Sequence, residues 1–96
     1  MLQEIVIKTN SAESLKPLLE IAIRNQLKAL RHGIEHTQER VAAFERRAGM
    51  SSLEFEKKFQ AEEIDETIET IDWNMELAAL RLLERQYQSL NDVKIS

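Results

Sequence analysis

Two groups of residues in this chain have the types and spacing that chemistry requires. His32, Glu35 and His36 match H-x-x-E-H, which on a helix sets two imidazoles one turn apart beside a carboxylate, the arrangement of inverted zinc peptidases. The register of the surrounding apolar residues turns all three away from the packed side, and 96 residues leave no room for a protease scaffold. They read as a solvated helix face. Glu62, Asp65, Glu66, Glu69, Asp72 and Glu76 recur at three- and four-residue steps and form an acidic stripe. Such a stripe could hold Mg²⁺ against a nucleotide polyphosphate, as in the all-α nucleotide pyrophosphohydrolases. That chemistry needs separated acidic pairs converging from two helices, whereas here Glu66-x-x-Glu69 and Glu69-x-x-Asp72 overlap on one helix, and the other helix offers only Glu35 and Glu39. Antiparallel packing would instead place the stripe beside Arg40 and Arg47, as a salt-bridging face. No catalytic residue, cofactor or metal ligand is therefore assigned, and the chain is expected not to be an enzyme.

The elements that carry these residues are helices. Hydrophobic residues make up 43% of the chain and charged residues 31%, against only two glycines and one proline, a composition suited to long helices. There are no cysteines, which removes disulfides and thiol chemistry, and the net charge of −4 disfavours a generic phosphate-backbone binder. No apolar run approaches the roughly 20 residues of a membrane span, and the N-terminus has no signal-peptide pattern, so a soluble, cytoplasmic protein is expected.

Helix 1 is expected over 14–48, with Asn10, Ser11 and Ser14 as candidate N-caps; a cap at Ser14 would place Pro17 in its first turn. Ile23, Leu27, Leu30, Ile34, Thr37, Val41, Phe44 and Ala48 alternate four- and three-residue steps, the heptad pattern of a bundle seam. Gly49 ends the helix, and Ser51 to Glu54 has the form of a capping box, with Met50 and Phe55 spaced as a hydrophobic staple. A short helix over 52–60 follows, and a last helix over 62–91, with a bend or one-turn interruption between them and a tail over 92–96. The last helix carries two apolar faces. Ile64, Ile68, Ile71, Met75, Ala78 and Leu82 are expected to form the seam with helix 1. Trp73, Leu77, Leu80, Leu83, Tyr87 and Leu90 then remain for a dimer or partner interface.

Residues 1–10 form an arm in which Glu4 to Thr9 alternate as a short strand, and Ile5, Val6 and Ile7 are its candidates for strand addition. A lone strand needs a second one, from Val93-Lys94-Ile95, a second copy or another protein. The whole reads as an all-α fold: one domain, a long antiparallel helical hairpin with a short helix at its bend and a short N-terminal strand, dimerising into a four-helix-bundle-like assembly.

The run Ala42-Ala43-Phe44-Glu45, then Gly49-Met50-Ser51-Ser52, Phe55 and Phe59, and finally Asp72-Trp73 with Glu76 resembles small helical prokaryotic antitoxin-like proteins of toxin–antitoxin-type gene pairs. The resemblance implies a non-enzymatic protein that binds and restrains a cognate partner protein. Its pattern breaks at Ala61 to Glu66, where Gly and Asp are expected. A competing reading is a nucleic-acid-binding regulator of ribbon-helix-helix type, suggested by Arg24, Lys28 and Arg31 behind a strand carrying Lys8, and it requires helix 1 to break at Gly33.

Overall fold

A computed structural model describes residues 3–5 and 12–95. Strand β1 (Gln3–Ile5) is followed by helices α1 (Ala12–Ala48), α2 (Ser52–Gln60) and α3 (Ile68–Asn91), and by strand β2 (Val93–Ile95). The helical hairpin with a short helix at its bend is the expected architecture. It is rod-like, with extents of 60 × 22 × 18 Å.

Helix α1 is 37 residues long and starts at Ala12, next in sequence to the candidate cap Ser11 and two residues before the expected 14, so Pro17 lies inside it instead of in its first turn. Proline lacks an N–H, so the helix forgoes one backbone bond there. It passes through Gly33 unbroken, with Leu83 packing 3.6 Å from where a β-carbon would stand. Thr37, the one polar residue on the seam, is buried, but its hydroxyl donates to the Gly33 carbonyl at 2.9 Å and accepts from Arg40 at 3.3 Å. Local satisfaction of that hydroxyl removes most of the cost of burying it.

Both ends of α2 are tightly specified. At the first bend Gly49 takes φ +63°, and the Met50 N–H returns to the Glu45 carbonyl at 3.2 Å. Ser51 caps α2 by accepting from the Glu54 N–H at 3.2 Å, while the Glu54 carboxylate pairs with Lys58 at 3.2 Å. At the second bend the N–H of Glu62 reaches the Phe59 carbonyl at 3.2 Å and that of Glu63 reaches the Lys58 carbonyl at 2.8 Å. This is the bonding of a Schellman motif. Its left-handed position is filled by Glu62 at φ +58°, a conformation glycine adopts freely and other residues adopt at a cost.

The interruption before α3 is longer than the sequence pattern implied, because α3 starts at Ile68 and not at 62. Thr67 and Thr70 cap it reciprocally, and the Thr70 hydroxyl also reaches the Asp65 carbonyl at 2.8 Å. That cap uses threonine where the familiar signature has Glu or Gln. It is therefore quiet in the sequence.

β1 and β2 pair in parallel, with Gln3 beside Val93 and Ile5 beside Ile95. Of the candidates for strand addition, Ile5 lies in β1, and Val6 and Ile7 fall outside the described residues.

The two left-handed positions predict opposite responses. Gly49→Ala should lower stability by about 1 kcal/mol from backbone strain alone, since no atom stands within 4 Å of the added β-carbon. Glu62→Gly should leave stability unchanged or raise it, by up to about 1 kcal/mol, as relief of the left-handed strain offsets glycine's greater unfolded-state entropy. Urea denaturation of both variants tests this, and a large loss in Glu62→Gly would show that the Glu62 side chain is needed at the bend.

Candidate functional site

The bend of the hairpin is built around Trp73. Its indole stacks on Phe55 with ring centres 3.9 Å apart and planes at 6°, and Phe44 lies parallel to the indole at 5.9 Å. Phe59 closes on Phe55 at 5.2 Å, and Met50, Val41, Ile64 and Leu77 complete the cluster. The indole N–H donates to the Ser52 hydroxyl at 3.1 Å, while the Ser52 N–H donates to the Glu45 carboxylate at 2.8 Å. One residue of α2 is thereby tied to α3 and to α1 at once.

This placement corrects the expected division of the last helix into seam and outer face. Trp73, 3% exposed, and Leu77, 6% exposed, are buried in the protomer's own core. Leu80, Leu83, Tyr87 and Leu90 are half-buried on the same side of α3. The face expected to form the seam points outward instead: Ile68 is 83% exposed and Met75 63%, and Ile71, Ala78 and Leu82 are exposed with them. Only Ile64, which precedes α3, packs against the core. The physical reason is area, because a face of Trp, Tyr and four Leu removes more apolar surface from water than one of Ile, Met, Ala and Leu.

The acidic stripe meets arginines of α1. Arg40 donates to Glu76 at 2.9 Å and Arg47 to Glu69 at 2.8 Å, with the Arg47 guanidinium also 4.8 Å from the Phe44 ring centre. Arg81 pairs with Glu56 of α2. His32, Glu35 and His36 lie exposed on α1, and among the described residues no three His, Asp or Glu side chains come together to hold a metal ion. The unbroken α1 is not the short first helix of a ribbon-helix-helix protein, and β1 pairs within the chain in parallel.

A different region stands open. The ion pairs Arg47–Glu69 and Arg40–Glu76 and the 2.9 Å hydrogen bond from Arg31 to the Tyr87 hydroxyl set α1 and α3 antiparallel, so α3 ends near Arg24 to Leu27. The first dozen or so residues of α1 run beyond it, for roughly 18 Å at 1.5 Å per residue. Leu18 there is 62% exposed and Ile21 50%. At the root of this extension lie two clefts. One, about 400 Å³, is lined by Arg24, Leu27, Lys28, Arg31, Tyr87 and Asn91; the other, about 530 Å³, is lined by Gln26, Leu30, Arg85, Gln86, Ser89 and Leu90. The Arg31 guanidinium is held above its ordinary value chiefly by the Tyr87 hydrogen bond, and Arg81 likewise by Glu56, so both remain cationic at any physiological pH. Sequence reading found the basic stripe but missed the overhang, since its signal, α1 being longer than α3, emerges only when the start of α3 is known.

Compared with known proteins, the chain finds no significant match among family models, curated sequences or solved structures.

The core position of Trp73 makes two measurable statements. Trp73→Ala should cost about 3–5 kcal/mol through the cavity it leaves, seen as a lowered urea midpoint. Because the indole is shielded within one protomer, the wild-type Trp73 emission maximum should not move on dilution; a red shift as the protein is diluted would return Trp73 to a subunit interface.

Proposed function

We propose that this chain is a non-enzymatic protein–protein interaction module, antitoxin-like in role, which self-associates and binds a cognate partner protein through the overhanging first turns of α1. The observation that carries this reading is the exposure of Leu18 and Ile21 on a helix that outruns α3. A helix end with uncovered large apolar side chains gains most when a groove or another helix closes over it. Arg24, Lys28 and Arg31 at its root favour an acidic border on the partner's binding surface. The outer edges of the two-stranded sheet, at the termini of the chain, provide backbone groups for an added strand. The acidic residues of α3 fit the structural role seen at Arg40 and Arg47 better than a nucleotide site, because Glu69 and Glu76 are both engaged in ion pairs.

The resemblance to antitoxin-like proteins points to the product of an adjacent gene as the first partner to test. Expressed alone, that product should inhibit growth, and co-expression of this chain should relieve the inhibition and yield a co-purifying complex. Replacing Leu18 and Ile21 together by Glu should weaken the complex roughly tenfold or more, equivalent to at least ~1.4 kcal/mol, with unchanged helicity by circular dichroism. Full binding by the double variant would remove the α1 extension from the interface, and absence of any complex or growth effect would overturn the antitoxin-like reading.

A further inference from the structure

We infer that the outward face of α3, formed by Ile68, Ile71, Met75, Ala78 and Leu82, is the surface on which a second copy of this chain packs antiparallel about a two-fold axis. The inference rests on the self-association part of the reading above and is independent of the α1 extension.

These five residues follow steps of three, four, three and four, which keeps them on one side of the helix over four turns, opposite the side that Trp73 and Leu77 bury. Nothing among the described residues covers them, and Ile68 at 83% and Met75 at 63% exposure are large apolar groups left in water. A stripe so narrow is a seam for one partner helix rather than a face for a sheet or a broad surface.

Charge along α3 selects the occupant and its direction. The approach to the helix and its first half carry Asp65, Glu66, Glu69 and Asp72, and the second half carries Arg81 and Arg85 with a single acid, Glu84, all exposed; Glu69 and Arg81 are paired with Arg47 and Glu56 of their own chain, so the contrast between the two ends rests on Asp65, Glu66 and Asp72 against Arg85. Two parallel copies would set the acidic ends side by side, along with their aligned helix dipoles. Antiparallel copies place the acidic half of each beside the basic half of the other. The side chains fit the same direction. Pairing alternate heptad positions brings Ile71 opposite Leu82 of the partner subunit and Met75 opposite Ala78 of the partner subunit, a large residue against a small one at the centre. Both directions give a two-fold contact of the stripe with its own copy, and it is the charge along the helix that selects the reversed one.

Because the stripe lies opposite the α1 side of α3, the dimer is a layer of four helices with the two α3 helices inside, not a closed four-helix bundle. Both α1 extensions remain free in that layer.

Sedimentation equilibrium tests the contact. The wild type should have twice the 11.2 kDa mass of one chain, and Met75→Glu and Ile71→Glu should each return it to 11.2 kDa with unchanged helicity, since both side chains are exposed in the protomer, and with a melting temperature that no longer rises with protein concentration as that of the wild type does. The chain has no cysteine, so direction can be read by disulfide trapping. Ile71→Cys mixed with Leu82→Cys should form the mixed disulfide in preference to either self-linked product, because bridging requires Cα atoms within about 7 Å. A wild type that stays at 11.2 kDa at all concentrations overturns both the inference and self-association. A dimer indifferent to Met75→Glu and Ile71→Glu overturns this face alone, and preferential self-linking of Ile71→Cys overturns the antiparallel direction.

Discussion

The stack of Phe55 on Trp73 positions the rest of the molecule. With Phe44 it joins three helices through three near-parallel rings, since Phe55 belongs to α2, Trp73 to α3, and Phe44 to α1. Its polar edge is accounted for as well, because the indole N–H ends on Ser52, whose own N–H ends on Glu45. A buried aromatic group with its one donor satisfied contributes area without a desolvation penalty. Rotating α3 to turn Trp73 outward would lose that contact and leave Phe55, 1% exposed in this arrangement, without a cover.

From this constraint the rotation and offset of α3 follow. With Trp73 fixed against the bend, Glu69 falls beside Arg47, Glu76 beside Arg40 and Tyr87 beside Arg31. These exposed pairs contribute little to stability individually. They do disfavour a shift of α3 by a turn along α1. The offset also exposes the start of α1, because α3 begins only at Ile68 and has 24 residues against the 37 of α1. Segregation of surfaces is the outcome: a packed bend at one end, the exposed Leu18 and Ile21 of α1 at the other, and an apolar stripe along the outside of α3.

Much of the fold was legible in the sequence. The seam of α1 from Leu30 to Phe44, the stop at Gly49 and the cap at Ser51 are local signals, and each appears where residue spacing places it. The start of α3 was not legible, since its cap is made by two threonines and the preceding left-handed residue is a glutamate. Neither residue type announces that geometry. The pairing of the terminal strand with β2 was one of several open options, and it was chosen by the ends of the hairpin returning to one another.

By itself the sequence determined helix against strand, the place of the first turn, and the existence of two apolar faces on the last helix, because these depend on contacts within a few residues. Tertiary structure decided which face is inside. Both faces have helical periodicity, and periodicity carries no information about rotation about the helix axis. That choice came from the larger area of Trp73, Leu77 and their neighbours and from the shape of the Phe44 and Phe55 rings they meet, contacts between residues about 20 to 30 positions apart that exist only once the hairpin closes.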